Sequence, residues 1–190
     1  MPHNTTLGNG RRGKNRWRPL IWGTAALLLL LPAVAMQFTG EVDWTASDFI
    51  VMGVMLSAAC GAYELATWLS GNTAYRAAFG IAVVTGFLLV WVNLAVGILG
   101  SENNLENLMF AGVLLVAAIG ALLANFRAGG MARTMDATAL AQLLVATIAL
   151  AIGFRERGVL LAACFAVPWF ASAQLFRKAA REQASAGAAS

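Results

Sequence analysis

The first feature of this sequence that suggests chemistry is a carboxylate inside a long apolar segment. Glu64 lies in the run 48–69, which has the length of a membrane-crossing helix. An ionised acid near the centre of such a helix is costly, by about 2.5 kcal/mol or more, so Glu64 must be neutral, paired or in contact with water. One hypothesis makes it a proton or cation relay, or a substrate contact. The other makes it a structural hydrogen bond or ion pair inside a helical bundle.

The sequence around Glu64 indicates what it contacts. Small residues at four-residue spacing precede it on one helix face: Gly53, Ser57 and Gly61. Such residues let helices approach closely, so Glu64 is expected to face the bundle. Arg76 opens the next apolar segment after the short turn 70–74, within reach of the acid. A Glu64–Arg76 ion pair closing this hairpin is the simplest structural prediction.

Two polar residues of the fifth apolar segment are further candidates. Gln142 lies six residues into the segment that begins at Asp136, at nearly the same depth as Glu64 by helical rise. It is therefore a possible partner of the acid. Asp136 is expected either to cap its helix, because an acid favours a helix N-terminus, or to pair with Arg133 or Arg127.

Asn93 is the candidate of the third segment. It shares a helix face with Gly86, Val90 and Gly97. A polar side chain on such a face is typical of a hydrogen bond between helices, and the alternative is a polar step in a transport path. The acidic, asparagine-rich loop 101–107 offers oxygen ligands to a hard cation, but it lacks an Asp-x-Asp-x-Gly pattern, so we expect a solvated loop.

No recognisable set of catalytic residues accompanies these candidates. The only histidine is His3, in the polar N-terminal tail, which leaves no Ser-His-Asp set and no multi-histidine metal site within one chain. Neither a G-x-x-x-x-G-K-[ST] phosphate loop nor an HExxH pattern occurs. Cys60 and Cys164 stand alone in apolar segments. We therefore predict no enzyme activity, no metal and no cofactor.

The elements that must position these residues belong to a membrane protein. Hydrophobic residues make up 59% of the 190 residues and charged residues only 12%, whereas a soluble domain is about a quarter charged. The hydrophobic residues form six continuous blocks, each of roughly the 20 residues that a helix needs to cross a bilayer. A β-barrel is not expected, because its strands would alternate apolar and polar residues. The sequence predicts an all-α integral membrane bundle of about six transmembrane helices, with antiparallel neighbours and short loops.

The blocks also give boundaries. We predict helices at 19–38, 48–69, 75–99, 108–126, 136–154 and 159–176, between a disordered basic tail at 1–18 and a flexible tail at 177–190. Thr45 and Asp48 have the spacing of a capping box at the start of the second helix. Pro168 interrupts the sixth helix and frees a backbone carbonyl one turn earlier.

Basic residues are distributed unevenly over the two ends of the helices. Placing the N-terminus in the cytoplasm puts there all of the 13 Lys and Arg residues except Arg155 and Arg157, which is the asymmetry that cytoplasmic loops show. The basic residues behind the net charge of +4 are thus expected to interact with the phospholipid surface rather than with nucleic acid. Both chain ends are predicted to be cytoplasmic.

The first apolar block has an alternative interpretation. Basic residues, an apolar stretch at 20–31 and the small residues Ala33, Val34 and Ala35 are similar to a cleaved signal peptide. Against cleavage, the apolar block continues through Phe38 and the basic tail is long. We expect the first helix to stay attached.

Two stretches resemble a known group of proteins. They are TAYRAAFGIAVVTGFLLVWVNLAVGILGSENNLENLMFAGV at 73–113 and GMARTMDATALAQLLVATIAL at 130–150. Both are similar to small bacterial inner-membrane proteins of uncharacterised function. The resemblance implies a bacterial inner-membrane protein with several helices, and it implies no activity and no catalytic residue.

Three functions remain open from the sequence, of which a membrane enzyme is disfavoured because no nucleophile–base set or metal cluster occurs. The first is a structural or accessory membrane protein that recognises a second copy or another membrane protein through small-residue faces. The alternative is a small transporter or channel with a polar path through Glu64 and Asn93. A polar cavity between those two residues favours transport, and a dry, packed interior favours the accessory role.

Overall fold

A computed structural model describes residues 18–154 and 156–188, and every regular element in these ranges is helical. The segment 1–17, in which a disordered basic tail was predicted, lies outside the described residues. The helices are α1 Arg18–Ala35, α2 Ala46–Leu69, α3 Thr73–Ala95, α4 Met109–Leu123, α5 Ala128–Ala151, α6 Glu156–Cys164 and α7 Ala166–Ala188, with a 3-10 turn at Leu105–Leu108.

These helices form six segments that are long and apolar enough to cross a membrane. Within the described ranges α1, α2, α3 and α5 each qualify alone, the 3-10 turn and α4 form the fourth segment, and α6 with α7 form the sixth. The chain is therefore a multi-pass helical membrane protein, as predicted.

The chain divides into two compact units, Met1–Val54 and Met55–Ser190. In the first unit, Thr45 and Asp48 form the predicted capping box at the start of α2. The Thr45 backbone N–H donates to the Asp48 carboxylate (2.7 Å), and the Asp48 N–H donates to the Thr45 hydroxyl (3.4 Å). This exchange satisfies two backbone donors that a helix N-terminus otherwise leaves unpaired.

The core of the second unit is organised by its last helix. Helix α7 packs against both α3 and α5, and α5 in turn packs against α4. Phe176 of α7 is fully buried and meets the ring of Tyr75 edge-on, with centroids 5.2 Å apart. The buried Ser172 hydroxyl donates to the Ala78 carbonyl (2.8 Å). Aromatic contacts and the Ser172 hydrogen bond thus join α7 to α3.

A separate cluster fills the opposite end of this unit. It joins Leu89 of α3, Phe110 and Val113 of α4, Ala149 of α5 and Ala162 of α6. All five side chains are buried. The bundle therefore has apolar cores near both ends of its helices.

Two helix boundaries differ substantially from the prediction. Helix α5 begins at Ala128, eight residues before Asp136, because Gly129 and Gly130 continue the helix instead of forming a loop. A Cβ built at Gly130 would lie only 2.7 Å from that of Ala124, so glycine permits the tight α4–α5 turn. Helix α7 continues to Ala188, where a flexible tail was predicted.

The last membrane segment is broken where the sequence places its proline. Helix α6 ends at Cys164, Phe165 forms a turn, and α7 begins at Ala166. Pro168 thus falls in the first turn of α7, where a missing backbone N–H costs no helical hydrogen bond. The interruption expected from Pro168 is present as two helices in one crossing segment.

Candidate functional site

Glu64 is half buried in the second half of α2. Its backbone carbonyl accepts a hydrogen bond from the Thr67 hydroxyl (2.8 Å). Of the small residues expected on its contact face, Gly53 is half buried, whereas Ser57 and Gly61 are exposed. Ala66, fully buried, packs against the core instead. Met52, Leu56 and Cys60 are also buried, and Glu64 follows them at the same four-residue spacing. Helix α2 therefore buries two faces, and the one that leads to Glu64 is formed by larger side chains than predicted.

Arg76 does not form the predicted ion pair with Glu64. Its guanidinium donates to the carbonyls of Ser70 (2.8 Å) and Thr67 (3.0 Å), at the end of α2. Unpaired carbonyls at a helix C-terminus carry partial negative charge and attract a cation. Arg76 therefore closes the α2–α3 hairpin by capping a helix end.

Asp136 takes neither of its expected roles. It lies inside α5 rather than at the N-terminus, and its carboxylate forms an ion pair with Arg177 of α7. Arg133, one of the expected partners, reaches the Gly129 carbonyl of its own helix. The Asp136–Arg177 pair therefore joins the two helices that pack most extensively in this unit.

Gln142 is fully buried and connects α5 to α6. Its side-chain N–H donates to the Ala162 carbonyl (2.8 Å), so its amide is engaged there and not with Glu64. The Gln142 Oε1 has no hydrogen-bond partner among the described residues. The contact with Glu64 was predicted from depth along the helix, which does not determine in which direction the Gln142 side chain points around the helix axis.

Asn93 forms no hydrogen bond between helices in the described part of the chain. Its side-chain N–H donates to the Leu89 carbonyl one turn earlier in α3 (2.7 Å), and its Oδ1 is buried without a partner there. The expected glycine-lined contact does exist at Gly86, where a built Cβ would meet Leu114 at 3.5 Å and Trp169 at 3.7 Å. Asn93 thus lies on a contact face but does not bond across it.

The asparagine-rich loop after α3 is internally bonded. Asn107 accepts from the Leu99 N–H (2.9 Å) and donates to the Ser101 carbonyl (2.7 Å), while Asn104 donates to the Leu99 carbonyl (3.0 Å). These amides order the loop backbone. No group of three or more His, Cys, Asp or Glu side chains suited to a metal occurs in the ranges the structure describes.

A long apolar groove is lined by α2, α3 and α4. Its volume is about 510 Å³. Small residues form much of its wall: Ala58 and Ala62 of α2, Gly86 of α3, and Ala117, Ala118 and Ala121 of α4. Trp169 and Met135 reach it from α7 and α5. We call it the α2–α4 groove.

A smaller groove of about 370 Å³ runs along α3 on another side. It is bounded by Tyr63 of α2 and by Phe165 and Pro168 at the α6–α7 break. Arg76 lines it at the start of α3, so we call it the Arg76 groove. Neither groove is lined by Glu64 or Asn93.

Sequence reasoning missed the residues of α7 that complete these features. Arg177 was assigned to a flexible tail, and Trp169 and Ser172 were not considered. A signal was present: Trp169, Ser172, Ala173, Phe176 and Ala179 recur at the three- and four-residue spacing of one helix face, and all five are buried. That spacing continues past Phe176 and indicates a longer helix.

Comparison with known proteins finds no matching family model, no matching curated protein and no matching solved structure. The roles of residues therefore come from the geometry of this chain alone.

Proposed function

We propose that this chain is a non-enzymatic accessory subunit of the bacterial inner membrane. In this proposal it holds a transmembrane helix of a second membrane protein in the α2–α4 groove. The groove is the observation that carries the proposal. The bacterial inner membrane is the location that the resemblance of 73–113 and 130–150 implies.

The lining of the groove favours a helix over a lipid tail. Alanine and glycine on α2, α3 and α4 allow a partner backbone to approach closely, which is how helices associate where burial from water gives no driving force. The α3 side of the groove extends from Phe79 to Val90, about 16 Å or three helical turns. Met55, which is half buried, adds a flexible side chain that adapts to a partner's shape.

The transport alternative has less support. A path through Glu64 and Asn93 calls for a polar cavity that both residues line, and the two grooves described above are lined by other, mostly apolar residues. The Asn93 amide is engaged with its own helix. These contacts favour the accessory role.

A photocrosslinker in the groove tests the proposal. With a benzophenone amino acid at Ala118, which is exposed and lines the groove, we expect crosslinking in native membranes to one partner protein of defined mass. The matched position is Leu140, exposed on α5 and outside the groove lining, where we expect no such product. Adding Ala62→Trp, which fills the groove from α2, should remove the Ala118 product.

The alternatives give different products. Crosslinks to a second copy of this chain would replace the proposed partner with self-association. Crosslinks to lipid alone, or equal protein crosslinking from Leu140, would reject the groove as a docking site for a helix.

We also propose that both chain ends face the cytoplasm, on the distribution of Lys and Arg. Reporter fusions after Leu69 and after Phe126 are expected to read as cytoplasmic, and a fusion after Asn103, in an exposed part of the α3–α4 loop, as external. Alkaline phosphatase and fluorescent-protein fusions measure the two sides. An external signal after Phe126 would contradict this orientation.

A further inference from the structure

The Arg76 groove combines an apolar length with one charged end. Val84 and Leu88, both exposed, continue its α3 wall away from Arg76. From Arg76 to Leu88 the helix rises about 18 Å, slightly more than half of the roughly 30 Å hydrocarbon layer. The groove is therefore as long as the acyl region of one leaflet.

The charge of Arg76 is not neutralised by a carboxylate of the described residues. Its two hydrogen bonds within those ranges go to backbone carbonyls. The ion pairs found there, Asp136–Arg177 and Lys178–Glu182, do not involve Arg76. An arginine has five N–H donors, so most remain for another acceptor. A guanidinium held in place by two carbonyls is preorganised for a phosphate, which it binds with parallel hydrogen bonds.

We propose that the Arg76 groove binds an anionic glycerophospholipid. One acyl chain lies along α3 from Gly80 to Leu88, between Tyr63 and the α6–α7 break, and the headgroup phosphate contacts the Arg76 guanidinium. The charge complementarity at Arg76 distinguishes this occupant from a protein helix. The site is separate from the α2–α4 groove, so it stands whether or not that groove binds a partner.

Native mass spectrometry of the full chain in detergent tests the proposal. We expect phosphatidylglycerol to bind roughly tenfold more tightly than phosphatidylcholine with the same acyl chains, because one arginine contributes both a charge and hydrogen bonds to the phosphate. Arg76→Gln keeps amide donors for the α2 carbonyls but removes the charge, and should abolish this preference. The matched control is Arg133→Gln, an exposed arginine of α5 outside the groove lining, which should keep it.

A second variant tests the apolar half of the site. Val84→Trp places an indole in the groove at an exposed position of α3, and it should weaken both lipids about equally. It decides whether the groove holds a lipid even if Arg76→Gln fails to fold. Ala118→Trp, in the α2–α4 groove, should leave the phosphatidylglycerol preference unchanged, which separates this site from the proposed docking function.

Four results would overturn the proposal. The preference for phosphatidylglycerol would persist in Arg76→Gln, or would fall equally in Arg133→Gln as a general surface-charge effect. Lipid binding that is unchanged in Val84→Trp would place the acyl chain elsewhere. Competition by glycerol phosphate at lipid-like concentrations would show that Arg76 binds phosphate without the apolar groove.

Discussion

Replacing Asp136 with asparagine is expected to lower the free energy of unfolding by about 2 kcal/mol. The substitution leaves the Arg177 guanidinium without its carboxylate at the contact between α5 and α7. Fully buried pairs cost about 3–5 kcal/mol when one partner is removed. Asp136 is 24% and Arg177 41% exposed, so solvent offsets part of that loss. Unfolding of the purified protein by a denaturing detergent measures the change.

The double variant separates the pair from the individual residues. Adding Arg177→Gln to Asp136→Asn removes the stranded cation and should restore part of the lost stability. Lys178→Gln is the matched control, because it breaks the solvent-exposed pair with Glu182 on the same helix and should cost less than about 1 kcal/mol. Purely additive losses from Asp136 and Arg177 would show that their ion pair does not couple α5 to α7.

Gly97→Ala is expected to have an even larger effect, about 3 kcal/mol or more. Gly97 follows the end of α3 with φ +69°, and its N–H donates to the carbonyls of Val92 (3.1 Å) and Asn93 (3.2 Å). A Cβ there would lie 2.3 Å from the carbonyl carbon and oxygen of Ser101, which are backbone atoms and cannot rotate away. The melting temperature in detergent should fall accordingly.

Gly153→Ala is the control for backbone conformation alone. Gly153 has φ +92°, yet a built Cβ has no heavy atom within 4 Å. It should therefore cost only the left-handed conformation, about 1–2 kcal/mol. Equal losses at Gly97 and Gly153 would mean that the loop at Ser101 yields easily and that close approach adds nothing.

Hydropathy was sufficient for the membrane segments because crossing a bilayer requires about 20 apolar residues whatever the helices contact. It was weaker at the ends of helices. Helix α3 ends at Ala95, four residues before the predicted boundary at 99, and Gly97 then adopts the left-handed conformation that closes a helix. Gly130 has the opposite role and continues α5. The same residue type therefore ends one helix and permits another.

Contacts between helices were the least predictable level. Helical rise gives the depth of Gln142 and Glu64 but not the direction in which each side chain points around its helix axis. Equal depth was therefore not enough to predict a contact between them. Arg177, the ion-pair partner of Asp136, was predicted to lie in a flexible tail, so this pair was not predicted. Arg76 was matched to the nearest acid, whereas the carbonyls at the end of α2 were equally close acceptors.

The position of α7 has a consequence for how the protein is made. The ribosome delivers α3, α4 and α5 before α7, yet α7 supplies the Phe176 and Ser172 contacts that join α3 into the core. Until then the Tyr75 ring and the Ala78 carbonyl lack those partners. Helices inserted early remain separate from α7 in the bilayer. They are stable there because each helix makes its backbone hydrogen bonds internally. The packing of α7 against α3 therefore follows the synthesis of α7, and a chain interrupted before α7 lacks the Phe176 and Ser172 contacts.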